Sequence, residues 1–508
     1  MPPIYFLEYE EREDIMRIGF DHDRYTAMQS EQIKKRIKKF GGKLYMELGG
    51  KLFDDFHAAR VLPGFHPDSK IEMLLTMKEQ IEVVIAINAD DIEKNKVRGD
   101  LGITYDTDVL RLIDAFRACG LYVGSVVITQ YAGQIHANQF RRRLRSQGVK
   151  VYLHYPIPGY PVDVSLIVSE KGYGKNEFIE TDHPLVLVTA PGPGSGKMAV
   201  CLSQLYQEHQ RGVKAGYAKF ETFPTWNLPL RHPINMAYEA ATVDLGDVNM
   251  IDPYHLEAYH VAAINYNRDI EVFPVLNTIF ERIFGKSPYK SPTDMGVNMI
   301  AEGIVDEKVC AEAARQEIIR RLYTALCEQR RGHTGEEEVA KLKLIMQRME
   351  LSDDDRPVLA AARKRAQQTG APAAAIQLDS GEIVTAKTSA LLGPSAALLL
   401  NAVKRLAGIP KNTKLIPPEV IGPVQSLKCD YLGNHNPRLH SDEVLVALSI
   451  TAATSEDARR AMEQLPELKG LEAHTSVILS RVDENVYRRL GINLTSEPHY
   501  QTHKLYHG

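Results

Sequence analysis

The chain has 508 residues, of which 44% are hydrophobic and 25% are charged, and this composition excludes a disordered or fibrous protein. At a typical domain size of about 150 residues, this length predicts about three domains. The net charge of -4 provides no overall field that would attract nucleic acid or an anionic membrane.

Apolar strand-like runs alternate with helical stretches over residues 1–300, and this alternation is typical of parallel βαβ architecture. A proline-rich segment at 156–161 interrupts the alternation and predicts a boundary between two α/β lobes, 1–160 and 161–300. The predicted strands of the two lobes are 43–48, 82–88, 122–129, 149–153, 184–190 and 217–223.

Long charged helical stretches follow the two lobes. Residues 301–370 carry almost no strand signal and are predicted to form a helical domain or insertion. A linker at 369–375 leads into a predicted C-terminal α/β or α+β domain, 371–508, in which we predict strands at 382–386, 444–450 and 475–479. The predicted fold class is therefore α/β and multidomain, with a mostly parallel N-terminal region, a helical middle segment and a separate C-terminal domain.

The cellular compartment is indicated by what the sequence lacks. The five cysteines are odd in number and widely spaced, which argues against a disulfide framework or a cysteine zinc site. Residues 1–24 hold no apolar core of the signal-peptide type, and no apolar run elsewhere is long enough to cross a membrane. We therefore predict a cytoplasmic protein with neither a membrane nor a nucleic-acid partner.

The strongest motif is a glycine-rich turn at 191–197, between an apolar strand and an amphipathic helix. Glycines allow backbone N–H groups to point inward toward an anion, and the following helix adds its positive N-terminal end. Lys197 supplies a mobile charge for a terminal phosphate. We predict that the turn binds a phosphorylated small molecule, with ATP or another nucleotide as the candidate cofactor, through Gly192, Gly194, Ser195, Gly196 and Lys197.

The turn departs from the phosphate-loop pattern G-x-x-x-x-G-K-[ST] at two positions. Pro191 stands in place of the first glycine, and Met198 replaces the hydroxyl that would hold magnesium. Lys197 also occupies the last glycine position of the dinucleotide motif G-x-G-x-x-G, and a lysine there suits phosphate better. A glycine-rich turn that binds nothing is the alternative.

A second glycine turn, at 49–60, follows the first predicted strand. On a helix, Asp54, His57 and Arg60 would share one polar face, which could hold an anion or carry out acid–base chemistry. A capped turn followed by a salt-bridged helix explains the same residues. The candidate catalytic residues are Lys51, Asp54, Asp55, His57 and Arg60.

Asp90 and Asp91 follow a predicted strand, at the edge where open α/β sheets usually bind ligands. Carboxylate oxygens suit magnesium, so we predict a magnesium site there, with a polar crossover loop as the alternative.

His255 and His260 are five residues apart, and the metalloprotease motif H-E-x-x-H does not occur. The sequence therefore argues against a catalytic zinc.

The chain resembles a family of conserved bacterial proteins of about this length whose function is unknown. Some members of that family are labelled ATP-dependent zinc protease. The missing zinc motif argues against the protease, whereas the turn at 192–197 is compatible with a nucleotide. The resemblance extends over nearly the whole chain and is carried by 41–45, 49–64, 87–105, 186–198, 215–230, 252–259 and 265–273.

From these features we expect an enzyme that binds a phosphorylated ligand and catalyses phosphoryl or nucleotidyl transfer, as a nucleotide-dependent transferase, ligase or hydrolase. One alternative is a non-catalytic sensor of a nucleotide or phosphometabolite. The other is a structural homo-oligomer without a ligand.

Overall fold

Two units divide the chain, and parallel β-strands dominate the first. The computed structural model describes residues 18–49, 52–53, 55–98 and 101–501. Within these residues, an N-terminal unit comprises 18–239 and 246–311. A C-terminal unit comprises 240–245 and 312–501.

One parallel sheet organises the N-terminal unit. The strands of this unit are β1 (Leu44–Leu48), β2 (Ile81–Asn88), β3 (Val97–Arg98), β4 (Ile103–Thr104), β5 (Tyr122–Thr129), β6 (Lys150–Leu153), β7 (Leu185–Thr189), β8 (Gly216–Phe220), β9 (Asn249–Ile251), β10 (Ile264–Tyr266) and β11 (Gly296–Val297). Seven of them form a sheet in the order β11-β8-β1-β7-β2-β5-β6, with every neighbouring pair parallel. The predicted parallel architecture is confirmed, and the boundary predicted at 160 and 161 lies between two strands of this one sheet.

Several helices begin where a short polar side chain satisfies free backbone N–H groups. Asp21 accepts a hydrogen bond from the N–H of Arg24 at 2.9 Å, and Asp252 accepts one from Tyr254 at 3.0 Å.

No helix in the described ranges has the length and apolar composition needed to cross a membrane. The helices are α1 (His22–Lys39), α2 (Phe56–Val61), α3 (Ser69–Leu75), α4 (Ala89–Glu93), α5 (Tyr105–Ala118), α6 (Ile135–Ser146), α7 (Val164–Ile167), α8 (Lys197–Gln210), α9 (Pro233–Ala241), α10 (Pro253–Tyr259), α11 (Asn267–Phe284), α12 (Pro292–Met295), α13 (Ile300–Gly303), α14 (Glu307–Arg331), α15 (Glu336–Arg348), α16 (Pro357–Thr369), α17 (Pro394–Leu406), α18 (Pro418–Ser426), α19 (Ser441–Ala452), α20 (Glu456–Met462) and α21 (Arg481–Arg489).

Helices cover both faces of the parallel sheet, because successive strand side chains point to opposite faces. Met46 and Val83 face one side, where they join an apolar core with residues of α3, α5 and α6. Tyr45 and Val84 face the other side, where the core includes residues of α8 and α11. The N-terminal unit is therefore a three-layer α/β/α sandwich.

The strand order creates a switch point between β7 and β2. The connection after β2 places Ala89 and Ile92 of α4 in the core on the first face. The connection after β7 runs to the opposite face, where Val200 and Leu202 of α8 are buried. In open α/β sheets, chains that leave neighbouring strands toward opposite faces open a crevice at the carboxyl ends of those strands.

A smaller mixed sheet organises the C-terminal unit, in agreement with the predicted α/β or α+β domain. Its strands are β12 (Ala373–Gln377), β13 (Ile383–Lys387), β14 (Glu472–Thr475) and β15 (Asn493–Ser496), in the order β13-β12-β14-β15. β12 is antiparallel to both neighbours, and β14 and β15 are parallel. The apolar core joins this sheet to α17, α19 and α20.

Three predictions for the C-terminal part are wrong. The segment 475–479 is not a strand, because β14 ends at Thr475, whose hydroxyl donates to the carbonyl oxygen of Val477 at 2.8 Å in a bend. The segment 444–450 is not a strand but part of α19, which begins at a capping box between His440 and Glu443. The segment 369–375 is not a linker, because it ends α16 and begins β12. An apolar run can suit a strand or a buried helix, and in α19 the helical spacing decides, with buried residues at Val444, Ala447, Leu448 and Thr451.

A charged cluster is buried in the C-terminal unit, and we call Glu317, Arg320, Arg356 and Glu472 the arginine cluster. Arg356 pairs with Glu472, and its guanidinium also donates to two backbone oxygens at 2.9 and 3.1 Å. Arg320 pairs with Glu317 at 2.8 Å and with Glu472 at 2.5 Å. Burial opposes ionisation of Glu472, but the two guanidinium groups prevail and lower its pKa.

Candidate functional site

The glycine-rich turn lies across the carboxyl ends of three neighbouring strands. It leaves β7 and leads into α8, as the sequence predicts. Asn88, the last residue of β2, donates from Nδ2 to the carbonyl oxygen of Gly194 at 3.4 Å. Thr129, the last residue of β5, donates from Oγ1 to the carbonyl oxygen of Ser195 at 2.8 Å. These two side chains hold the turn at the switch point.

Each glycine of the turn has a structural reason to be glycine. A Cβ atom on Gly192 would lie 2.2 Å from the hydroxyl of Tyr105. Gly194 and Gly196 have φ values of +77° and +84°, in the left-handed region that other residues rarely adopt. The glycines alone therefore do not distinguish a binding loop from a packing turn.

The turn also carries backbone hydrogen-bond donors that are not used within the described structure. Gly196 is the N-cap of α8 and has no side chain to satisfy the first amides, and no other described side chain caps this helix. The N–H groups of Gly194, Gly196, Lys197 and Met198 donate to no acceptor among the described residues. Four amides at a positive helix end are a suitable place for an anion.

The side chains of Ser195 and Lys197 differ in their role. Ser195 is fully buried, and its hydroxyl donates to the carbonyl oxygen of Gly192 at 2.9 Å, so it braces the turn from within. Lys197 is half-buried, and within the described ranges its ammonium has neither an ion pair nor a hydrogen bond. Lys197 is therefore the side chain of the turn that can meet a ligand.

A cluster of charged side chains lies at the carboxyl ends of β1 and β8, and we call Glu47, Lys219, Glu221 and Asp269 the edge cluster. Lys219 pairs with Asp269, and its Nζ lies 3.4 Å from Oε1 of Glu221. Glu47 accepts a hydrogen bond from the hydroxyl of Tyr217 at 2.8 Å, and its charge acts on both Lys219 and Glu221. Three carboxylates thus share one ammonium.

Strand register places the edge cluster beside the glycine-rich turn. Glu47 lies opposite Val188 of β7 on one side and opposite Lys219 of β8 on the other. Adjacent strands are about 4.8 Å apart, so Lys219 lies about 10 Å from the strand that carries the turn. Glu47 and Lys219 point to the face that α8 covers, because each is two residues after a tyrosine buried there.

The thiol of Cys201 supports this placement. Cys201 lies one helical turn after Lys197 in α8. Burial and the negative charge of Glu47 raise the pKa of Cys201, and the positive charge of Lys197 opposes the rise. Since both charges act on one thiol, Glu47 and Lys197 approach the same part of α8.

Glu221 has a proton affinity suited to acid–base chemistry. Burial raises its pKa to about 7, against the opposing charge of Lys219 and with support from Asp269 and Glu47. Gly296 makes room for the carboxyl group, because a Cβ there would lie 2.4 Å from Oε2 of Glu221. Glu221 can therefore hold or release a proton near neutral pH.

The predicted magnesium ligands also lie at the carboxyl edge, with local partners. Asp90 accepts a hydrogen bond from Nε2 of Gln134 at 2.9 Å. Asp91 pairs with Lys96 at 3.3 Å. Magnesium would have to replace these partners, and the magnesium site stays a prediction.

The second glycine turn is described in part, and Lys51 and Asp54 lie outside the described residues. Asp55 caps α2 by accepting from the N–H of Ala58 at 3.3 Å, and it pairs with buried Lys70 at 2.9 Å. Burial opposes ionisation of Asp55, but Lys70 prevails and lowers its pKa. Asp55 therefore has the capping and salt-bridging role of the alternative interpretation.

His57 and Arg60 belong to α2, the short helix that follows Asp55. The ring of His57 packs against those of Phe223 and Tyr238, at centroid distances of 5.8 and 5.6 Å. Because β1 and β7 are parallel neighbours, the two glycine turns emerge at the same sheet edge. A catalytic role for the second turn stays a prediction.

Comparison with known proteins identifies the family. Residues 18–350 match the model described as domain of unknown function DUF1846, N-terminal, and 354–506 match its C-terminal counterpart. The chain belongs to the DUF1846 family. The resemblance to a conserved bacterial family of unknown function is thereby confirmed.

Relatives of the DUF1846 chain match it over nearly its whole length. The UPF0371 protein SpyM3_1021 of Streptococcus pyogenes serotype M3 is 59% identical over 489 residues, covering 96% of this chain and 99% of the relative. The UPF0371 protein str1377 of Streptococcus thermophilus is 57% identical over 488 residues, with the same coverage. These names state no ligand and no reaction.

The edge cluster is the part of the site that sequence reasoning missed. A signal was present, because Glu47 and Lys219 are charged residues inside otherwise apolar strands, near the carboxyl end of each. Charged side chains at such positions are costly to bury unless they are paired or functional. Their pairing depends on the order of β1 and β8 in the sheet, which no local pattern reveals.

Proposed function

We propose that this DUF1846 protein binds the phosphate groups of a nucleotide or another phosphorylated ligand at the turn 192–198. The observation that carries the proposal is the set of unused donors at the start of α8, together with the unpaired ammonium of Lys197 in the described structure. Backbone amides would hold the phosphate oxygens, and Lys197 would neutralise a terminal phosphate. The location at the switch point of a parallel sheet supports the same proposal.

We further propose that the bound ligand undergoes phosphoryl or nucleotidyl transfer. Such reactions depend mainly on positioning and on stabilisation of charge, which the amides and Lys197 would supply. An attacking hydroxyl or water must also lose a proton. Glu221, whose pKa burial raises to about 7, would accept that proton, and Lys219 would stabilise the resulting carboxylate.

The proposed site has room for a magnesium ion, which would neutralise phosphate charge. Asp90 and Asp91 are the proposed ligands, because they follow β2, the strand next to β7. Met198 offers no hydroxyl for the ion, so the carboxylates would carry this role. An Asp91→Asn variant should then need more magnesium for the same ligand affinity.

Thermal unfolding of the full chain with ATP, ADP, GTP, phosphate and sugar phosphates, with and without magnesium, tests the binding proposal. A ligand at a hundred times its dissociation constant stabilises the folded state by about 2.7 kcal/mol, which a thermal shift resolves. The test variant is Lys197→Ala. The matched control is Lys150→Ala, which removes an exposed lysine at the opposite, amino-terminal end of β6.

The outcomes separate the three functional classes. A shift that is lost in Lys197→Ala and kept in Lys150→Ala supports the binding site, and turnover of the same ligand supports the enzyme. A shift without turnover indicates the sensor. No shift with any phosphate compound would contradict the proposal and favour the structural homo-oligomer.

A further inference from the structure

Three potential metal ligands meet in the N-terminal unit, apart from the proposed phosphate site. His22 is the first residue of α1, His66 precedes α3, and Glu72 belongs to α3. Nε2 of His22 lies 2.7 Å from Oε2 of Glu72, and Nδ1 of His66 lies 3.2 Å from the same oxygen. One ligand atom from each residue lies within 4.8 Å of the other two.

We propose that His22, His66 and Glu72 bind a zinc ion. Two imidazoles and one carboxylate form a ligand set that suits zinc. With zinc–ligand bonds of about 2.0–2.2 Å in a tetrahedron, ligand atoms lie about 3.3–3.5 Å apart. The contact of Glu72 Oε2 with His66 Nδ1, at 3.2 Å, is close to this spacing, whereas the contact with His22 Nε2, at 2.7 Å, is clearly shorter. The exposed Glu72 side chain would therefore have to move away from His22 to admit the ion.

The burial of the three side chains fits a site anchored on one side and open on the other. The His22 side chain is only 9% exposed, and its Nδ1 is buried without a hydrogen-bond partner in the described structure. His66 and Glu72 are 58% and 46% exposed, so they can adjust to an ion and leave a fourth position for water. Three protein ligands and one open position are typical of zinc sites that exchange a ligand.

The rings of the two histidines are stacked on each other. The His22 and His66 rings stack with centroids 3.8 Å apart and an angle of 19° between their planes. Stacking places their ligand-forming edges side by side, and rotation of the exposed His66 ring would direct Nδ1 at a shared ion. The distance of 44 residues between the two histidines explains why a search for adjacent zinc motifs cannot find this site.

Zinc binding by the chelator-treated full chain tests the proposal, measured by equilibrium dialysis with metal analysis and by the absorption spectrum of Co²⁺. The test variants are His66→Ala and Glu72→Gln, which change exposed side chains. The matched control is His136→Ala, because His136 pairs with Glu93 at 3.2 Å in a similarly exposed His–Glu pair. Circular dichroism without metal verifies that each variant folds.

We expect one zinc per chain, with the affinity lowered more than about tenfold in both test variants, since losing even an outer partner of a zinc ligand costs this much. The His136→Ala variant should bind as the unchanged chain does. Absence of zinc binding at micromolar concentrations would overturn the proposal. Equal binding by folded His66→Ala and Glu72→Gln would also overturn it, because the ion would then lie elsewhere.

Discussion

The arginine cluster and the edge cluster are both largely buried groups of charges, yet they shift their carboxyl groups in opposite directions. In the C-terminal unit, guanidinium groups lower the pKa of Glu472 against the effect of burial. In the N-terminal unit, burial raises the pKa of Glu221 despite the ammonium of Lys219. The difference lies in the balance of charge rather than in burial.

The balance of charge favours a structural role for the arginine cluster and a chemical role for the edge cluster. Arg356 meets a carboxylate and two backbone oxygens, so the fork of the guanidinium is well satisfied. The single ammonium of Lys219 faces three carboxylates and cannot neutralise all of them. The carboxyl group of Glu221 can therefore gain or lose a proton easily. A satisfied cluster stabilises a fold, whereas an unbalanced one beside the proposed phosphate site is equipped for proton transfer.

The largest expected effect is at the arginine cluster. Arg356→Met removes a buried charge and leaves Glu472 without one of its two arginine partners. We expect the free energy of unfolding to fall by about 3–5 kcal/mol, as measured by urea unfolding. The control Arg405→Ala breaks an exposed pair with Glu382 and should cost about 0–1 kcal/mol. Equal losses in the two variants would remove the contrast between balanced burial and surface pairing.

A smaller effect is expected at the glycine-rich turn. Gly196→Ala places a side chain at φ +84° and should cost about 1–2 kcal/mol while weakening ligand binding. Gly212→Ala is the matched control, because Gly212 follows the other end of α8 at φ +76° with open space around it. Gly196→Ala should lose somewhat more stability in thermal unfolding, because its Cβ would lie 3.2 Å from Thr129, and only Gly196→Ala should lose ligand affinity. Equal affinity in both would contradict the role of the turn.

A third effect, which appears only across a pH window, is a change in the pH dependence of stability. The ordinary pKa of Glu221 is 4.5, and the folded state raises it to about 7, so stability falls as pH rises through this window. Below the window the carboxyl group is protonated in both states and its contribution is fully present. Glu221→Gln should flatten the slope of unfolding free energy against pH, whereas Glu180→Gln, at an exposed position, should leave it unchanged. An unaltered slope in Glu221→Gln would show that this carboxyl group titrates normally.

Much of the parallel sheet could be predicted, because β2, β5 and β7 are almost entirely buried and therefore read as apolar runs. The turn could be found because three glycines and Lys197 are neighbours in sequence. The segment 444–450 does not allow such a prediction, because a short apolar run suits either a strand or a buried helix.

Local sequence patterns do not predict the side-chain clusters that complete the candidate sites. Glu47, Lys219 and Asp269 come together only because β8 pairs with β1 and α11, which carries Asp269, packs at the same sheet edge. His22 and Glu72 meet because α1 packs on α3. Such contacts depend on strand order and helix packing, which a single sequence does not encode in any short window.

The amide signals of the turn test the central claim most directly. The chain has 35 glycines, and labelling them with ¹⁵N allows their backbone N–H groups to be followed by NMR as ATP and magnesium are added. The Gly194→Ala and Gly196→Ala variants assign the two signals of interest. We predict that both signals move with ATP, and that neither moves in Lys197→Ala. Signals that stay fixed, or changes confined to glycines far from the carboxyl edge of the sheet, would contradict a phosphate site at the start of α8.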